Sequence, residues 1–282
     1  MNLVIAEIHG KETYGLLKDN YFYEVNPKIK AKYPTLMSIM PQDDSILSES
    51  NFIARERKYS LNSINFLPPV SKFNKIICVG INYPKHYENV LTTKPDNIIT
   101  FSKFHETLVG HNQSLCLPEG LANNSFDYEG EIAIVIGKQG YKITPEDAMD
   151  YVFGYTLFND GSVRDWQKHS IHSGKNFYRS SSCGPSIVTK DRVKDFNDLH
   201  LETRLNGKVV QSSSTKNMFF NINEILSYIS NTIPLNTGDI IATGSPEGTG
   251  ASQNPQRFLK TNDTLEFSAS GLGVLKNSVT QK

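Results

Sequence analysis

The chain has 282 residues, of which 38% are hydrophobic and 21% charged, proportions of a soluble globular protein with room for one large domain or a large and a small one. Lys plus Arg and Asp plus Glu balance at 29 each, so no basic excess argues for nucleic acid or an anionic membrane surface as partner. No apolar run is long enough to span a bilayer, and the N-terminus lacks the basic start of a signal peptide. Cys78, Cys116 and Cys183 are scattered without metal-site spacing, which leads us to expect a cytoplasmic protein with reduced thiols.

Taken in chain order, residues 1–70 read as a small β-rich N-terminal domain. The runs Leu3–Ile8, Thr13–Leu17 and Tyr21–Val25 are strand-like and separated by polar turns. Asp43 to Ser60 is polar and charged, either a surface helix or a loop. Pro68-Pro69 marks a rigid junction, since consecutive prolines continue neither a helix nor a central strand. Residues 71–282 then form a second, larger domain. Lys75–Gly80 reads as a buried strand containing Cys78, with a turn and short helix expected around Asn82 to Val90. Further strands are expected at 130–136, 153–158, 185–189, 199–205, 208–211, 239–243 and 264–268, with Asn206-Gly207 as a type I′ hairpin turn. Two segments carry helical signals: Thr144 to Asp150, with a capping Thr and a first-turn Pro, and a stretch from Asn223 with apolar residues at helical spacing. The balance is a β-dominated α+β fold.

Within this pattern Glu129 and Glu131 run straight into the apolar stretch Ile132–Ile136. On a strand, residues two apart share a side, so both carboxylates project together and repel unless a cation lies between them. Asp160 ends another apolar run. Three carboxylates on strand ends suit a hard divalent ion such as Mg²⁺ or Mn²⁺; acidic residues at strand ends are also ordinary solvated groups.

Taken in order, Ile77–His86, Tyr128-Glu-Gly-Glu131, Asn159–Gln167, Gly174–Phe177, Cys183–Thr189, Arg204–Gln211 and Thr243–Gly250 resemble the fumarylacetoacetate hydrolase family. The resemblance runs from about residue 72 to the C-terminus. It implies a mixed β-roll, usually dimeric, with Mg²⁺ or Mn²⁺ held by Glu129, Glu131 and Asp160. It also implies a small 2-oxo acid substrate handled through an enolate. Lys175 would then be the cation beside the metal, or else a solvated surface lysine. Arg164 and Gln167, four and seven residues beyond Asp160, would face substrate on a helical turn; the alternative for Arg164 is a structural pair with Asp165. Ser245 stands where the family usually has Thr, in a Gly-rich loop that offers a hydroxyl to a carboxylate or forms a plain turn. His86 is the candidate general base.

The chain departs from the family pattern in three places. Hydrolytic members follow the histidine with a glutamate three residues on, on a lid helix; here position 89 is Asn, and the nearest carboxylate is Glu88. Tyr178 and Arg179 replace an acidic-plus-hydroxyl pair, adding a cation that either meets a second substrate carboxylate or points to solvent. Lys103, in Phe101-Ser-Lys-Phe104, keeps part of another family motif but lacks its usual proline. The leading expectation is metal-dependent hydrolysis of a C–C bond in a 2,4-dioxo acid. The altered dyad favours, as the alternative, an isomerase, tautomerase or decarboxylase of a 2-oxo dicarboxylic acid such as oxaloacetate. A catalytically inactive ligand-binding protein is the reading from another class.

Overall fold

The computed structural model describes residues 1–42, 48–84 and 93–281, together with the backbone of residues 86, 87, 90 and 91. The N-terminal strands β1 (Asn2–Ile8), β2 (Lys11–Lys18) and β3 (Tyr21–Val25) lie where alternation places them. Short helices α1 (Pro27–Lys32), α2 (Leu36–Ile39) and α3 (Glu49–Phe52) follow. Of the charged stretch expected to be helix or loop, residues 43–47 lie outside the described residues and α3 is helical, but most of the remainder is strand β4 (Ile53–Ser60). Among the described residues it pairs only with β3, and this edge strand carries Arg, Glu and Lys side chains, a common means of keeping a sheet edge soluble. Strand β5 (Asn65–Leu67) returns to pair with β1.

The later strands follow: β6 (Ile76–Gly80), β7 (His86–Tyr87), β8 (Val90–Leu91), β9 (Ile99–Lys103), β10 (Leu108–Val109), β11 (Ser114–Cys116), β12 (Phe126–Asp127), β13 (Gly130–Ile136), β14 (Val152–Asn159), β15 (Ser162–Val163), β16 (Ser181–Thr189), β17 (His200–Leu205), β18 (Lys208–Ser214), β19 (Ile240–Ala242), β20 (Thr264–Ala269) and β21 (Gly273–Thr280). The helices between them are α4 (Arg164–Gln167), α5 (Ile171–Lys175) and α6 (Ile222–Thr232). Every strand expected between 130 and 268 is present, and Asn206 and Gly207 both have positive φ (51° and 80°), as a type I′ turn requires. Two further expectations are corrected. The backbone of 86–87 pairs antiparallel with that of 90–91 in the stretch where a turn and short helix were expected. The helix expected at Thr144 to Asp150 is a turn followed by a single 3₁₀ turn at Ala148–Tyr151, because β14 begins at once and leaves no room for more.

Among the described residues the main sheet has twelve strands in the order β4-β3-β2-β1-β16-β14-β13-β19-β6-β9, with β5 beside β1 and β10 beside β16. A second sheet runs β11-β21-β20-β17-β18. The pairing of β1 with β16 makes the N-terminal strands continuous with the main sheet. Neither sheet closes into a barrel, and the fold is the β-dominated α+β architecture expected. Strand β13 is buried along its whole length because both of its faces are covered, which is why its sequence is continuously apolar rather than alternating. Ile132, Ile134 and Ile136 face a core shared with Leu201, Leu265, Phe267 and Leu275 of the second sheet and Ile225, Leu226 and Ile229 of α6. Ala133 and Val135 face the other core, with Leu3, Ile5, Leu16 and Ile39 of the N-terminal segment. No helix among the described residues is long and apolar enough to cross a membrane.

Candidate active site

The site forms where β13 and β14 run antiparallel. Gly130 pairs with Asn159, and the next backbone bond, from Asp160 N–H to Glu129 O (2.9 Å), brings Asp160 opposite Glu129. Glu129 and Glu131 point to one side of the strand. Gly130 between them points to the other, where an added Cβ would stand 2.1 Å from Thr203 Oγ1 and 2.9 Å from the Phe267 ring. Only glycine lets the second sheet pack that closely beneath the two glutamates. Carboxylate oxygens of Glu129, Glu131 and Asp160 all lie within 4.8 Å of one another, and all three residues are buried.

Around them stand three cations. Lys175, buried at the end of α5, donates to Glu129 Oε2 (2.5 Å) and Asp160 Oδ2 (2.7 Å). Burial opposes its charge, but the Asp160 and Glu129 carboxylates more than compensate and hold its pKa above the ordinary lysine value. The surface-lysine alternative is thereby excluded. Arg164 directs Nε (2.8 Å) and Nη2 (2.8 Å) at Asp127 Oδ2, and Nη1 at Glu129 Oε1 (2.9 Å) and Gln167 Oε1 (3.1 Å). Its structural partner is therefore Asp127, while Asp165 pairs with Lys168. Helix α4 begins at Arg164, so Arg164 and Gln167 meet through their own i, i+3 spacing; Asp160 lies before the helix and shares no helical face with them. Lys103 is paired with Asp160 Oδ1 at 2.7 Å.

A cavity of about 300 Å³ opens over this cluster. Glu129, Glu131, Arg164, Gln167, Lys175 and Ser245 line it on the polar side, and Val79, Ile81, Ile99, Phe101 and Ile171 on the apolar side. Ser245 follows Gly244, whose positive φ (94°) turns its N–H onto Glu131 Oε2 (2.8 Å). The structure thus brings together Glu129, Glu131, Asp160, Lys175, Arg164, Gln167 and Ser245. It does not bring in Arg179, whose Nη2 donates instead to Ser114 O (3.5 Å). Glu88 and position 89 lie outside the described residues, and of His86 only the backbone is described.

Sequence reasoning assigned nothing to Asp127 and Asn82. Asp127, fully buried, accepts from Gly250 N–H (2.7 Å) and Ala251 N–H (3.0 Å) while holding Arg164, so it ties the Ser245 loop to α4. Its signal was present: it stands two residues before Glu129, the interval that separates Glu129 from Glu131. Asn82 donates to Thr243 O (2.8 Å) and Phe220 O (3.1 Å) and accepts from Phe220 N–H (2.8 Å). No spacing in the sequence announces that role, because its partners lie far away along the chain.

The three carboxylates have the chemistry of a hard-cation site. All the donor atoms are oxygens, and burial raises the Glu131 pKa well above the ordinary carboxylate range, with the Asp160 and Glu129 charges adding to it. Asp160 Oδ1 is buried and has no donor in hydrogen-bond geometry, although Lys103 is close. Tyr83 Oη, buried and within reach of the Glu131 charge, likewise has no hydrogen-bond partner among the described residues. A cluster of this kind fits a divalent cation that would relieve the repulsion.

The sequence profile for the C-terminal part of fumarylacetoacetate (FAA) hydrolase matches residues 75–280. The chain belongs to the fumarylacetoacetate hydrolase family. It is 39% identical over 221 residues to the mitochondrial oxaloacetate tautomerase Fahd2a of Rattus norvegicus, covering 77% of this chain and 70% of that one. It is 38% identical over 226 residues to the oxaloacetate tautomerase YisK of Bacillus subtilis, covering 78% and 75%. Among solved structures, the fumarylacetoacetate hydrolase of Exiguobacterium antarcticum superimposes with a TM-score of 0.86 at 30% identity, over 100% of both chains. The chain is thus an enzyme of a superfamily that acts on small molecules and binds divalent metals, and its Glu129, Glu131 and Asp160 could hold such an ion.

Proposed function

We propose that this enzyme interconverts the keto and enol forms of oxaloacetate, or of a closely similar 2-oxo dicarboxylic acid, at a Mg²⁺ or Mn²⁺ site made by Glu129, Glu131 and Asp160. The observation that carries the proposal is this buried carboxylate cluster, beside Lys175, in a chain 38–39% identical to oxaloacetate tautomerases. The Asn at position 89 points the same way, because tautomerisation needs no activated water.

In the keto-to-enol direction a C3–H bond breaks and an O–H bond forms at the C2 oxygen, with no net gain or loss of atoms. A bound divalent cation supplies Lewis-acid stabilisation of the charge that collects on the enolate. Lys175, charged and fixed between Glu129 and Asp160, offers a hydrogen bond to that charge where it develops. Arg164, engaged by Asp127, Gln167 and Glu129, keeps Glu129 aimed at the site, and Gln167 and Ser245 line the cavity where substrate oxygens would meet it. Val79, Ile81, Ile99, Phe101 and Ile171 limit water on the other side, which strengthens each of these electrostatic contacts. His86 carries the proton, a role assigned from its sequence position and its near-neutral intrinsic pKa.

C–C hydrolysis of a 2,4-dioxo acid is the second reading, favoured by the whole-length likeness to the Exiguobacterium hydrolase. One experiment separates the two. Decay of enol-oxaloacetate is followed by its ultraviolet absorbance with Mg²⁺ present, and pyruvate, CO₂ and acetate from oxaloacetate and acetylpyruvate are assayed in parallel. The proposal expects enol decay faster than in protein-free buffer, without pyruvate, and lost in Glu129→Ala. Acetate release with unaltered enol decay would establish the hydrolase instead, and inertness toward both acids would favour a binding protein.

A further inference from the structure

Strand β9 turns Ile99, Phe101 and Lys103 to one face, because alternate residues of a strand point the same way. Ile99 and Phe101 end in the pocket wall, whereas Lys103 lies outside the lining, its side chain 0% exposed. A lysine buried so completely is tolerated only where acceptors surround its ammonium group. Its Nζ lies 2.7 Å from Asp160 Oδ1 and donates to the carbonyls of Gly161 (3.1 Å) and Lys175. Its ion-pair partner is thus a metal-site carboxylate, and its two hydrogen-bond acceptors are the main chain just after that carboxylate and the main chain from which Lys175 reaches back to Glu129 Oε2 and Asp160 Oδ2.

We infer that Lys103 is a positioning residue of the metal centre, holding Asp160 with Oδ2 on the Glu129 side and fixing the backbone that delivers Lys175. It touches neither substrate nor ion; it acts through Asp160 and Lys175. Partners that orient a metal ligand commonly change metal affinity by about 10–100-fold when removed. The inference rests on the metal-site reading above, and its test reads metal affinity directly, so the two can fail separately.

Mn²⁺ affinity is measured by calorimetry on the wild-type chain, Lys103→Met, Lys103→Gln and a control, Leu16→Ala, whose cavity lies in the N-terminal strands far along the sheet from the site. Circular dichroism and melting curves establish folding in each. The expected result is a wild-type site whose Mn²⁺ affinity falls about tenfold or more in Lys103→Met, with a smaller loss in Lys103→Gln and none in Leu16→Ala. Should the wild-type chain bind no Mn²⁺, the metal reading itself falls. If the wild-type chain binds and both Lys103 variants match it, only the positioning role is overturned. A fall in Leu16→Ala equal to that in Lys103→Met overturns it as well, as does failure of both Lys103 variants to fold, since the lysine would then be supporting the fold at large.

Discussion

Glu131 shows what a functional residue costs its own fold. It is buried, close to two like charges, and holds a backbone N–H from Gly244 that favours its ionised form only in part. Replacing it by Gln keeps an oxygen for Gly244 and removes one charge from the cluster. We therefore expect Glu131→Gln to melt at a higher temperature than the wild-type chain in EDTA, yet to gain little or nothing from added Mg²⁺, which should raise the wild-type melting point. Paired melting curves with and without Mg²⁺ check both halves. At this scale the sequence was informative for the carboxylates, because the i, i+2 interval on a strand is a local rule. It was misleading for Arg164, whose partners Asp127 and Glu129 come from a segment more than thirty positions earlier and outcompete its neighbour Asp165.

Elements meet the site through their ends, and Asn82 joins three of them: the exit of β6, the loop after β19 and the segment leading into α6. In Asn82→Ala, two carbonyls and an N–H lose their partner in a buried setting, at roughly 1–3 kcal/mol for each group left unsatisfied. The same change frees Gly244, and with it the N–H that orients Glu131. A drop in both stability and Mg²⁺-dependent turnover is the expected outcome. Asn221→Ala, which removes only the capping box of α6, should cost about 1 kcal/mol and leave turnover unchanged. Urea titrations with parallel rate measurements distinguish the two variants. Elements with a clear local signature were legible beforehand: β13 by its uninterrupted apolar run and α6 by apolar residues at helical spacing. Strand β4 was not, because an edge strand rich in Arg, Glu and Lys has no apolar side to reveal it. The run from Thr144 was misread because its start signals are real, with Asp147 N–H reaching Thr144 Oγ1 (3.3 Å), but the chain has space for one turn only.

Across the whole molecule, the N-terminal part of the main sheet and the second sheet meet at His111. Its ring lies edge-on to Phe66 (4.9 Å between centroids), and its Nδ1 accepts the Lys276 N–H of β21 (3.1 Å). Burial, with the Lys276 charge adding, lowers its pKa from the ordinary 6.5 to about 4. A depressed histidine pKa means that the unfolded chain binds the proton more readily. The stability contributed by neutral His111 is full above about pH 6.5 and is lost as pH falls toward about 4. Melting temperatures across that window should fall less steeply in His111→Gln than in the wild-type chain. The pairing of β1 with β16 could not be read in advance, since each strand shows only its own pattern and not its neighbour.

The most direct measurement of the central claim is a calorimetric titration of the metal-stripped chain with Mn²⁺, alone and with oxalate, whose two oxygens imitate the enolate. The account predicts one ion per chain, bound more tightly with oxalate present and lost in Asp160→Ala. An absence of Mn²⁺ binding, or binding that survives unchanged in Asp160→Ala, would contradict it.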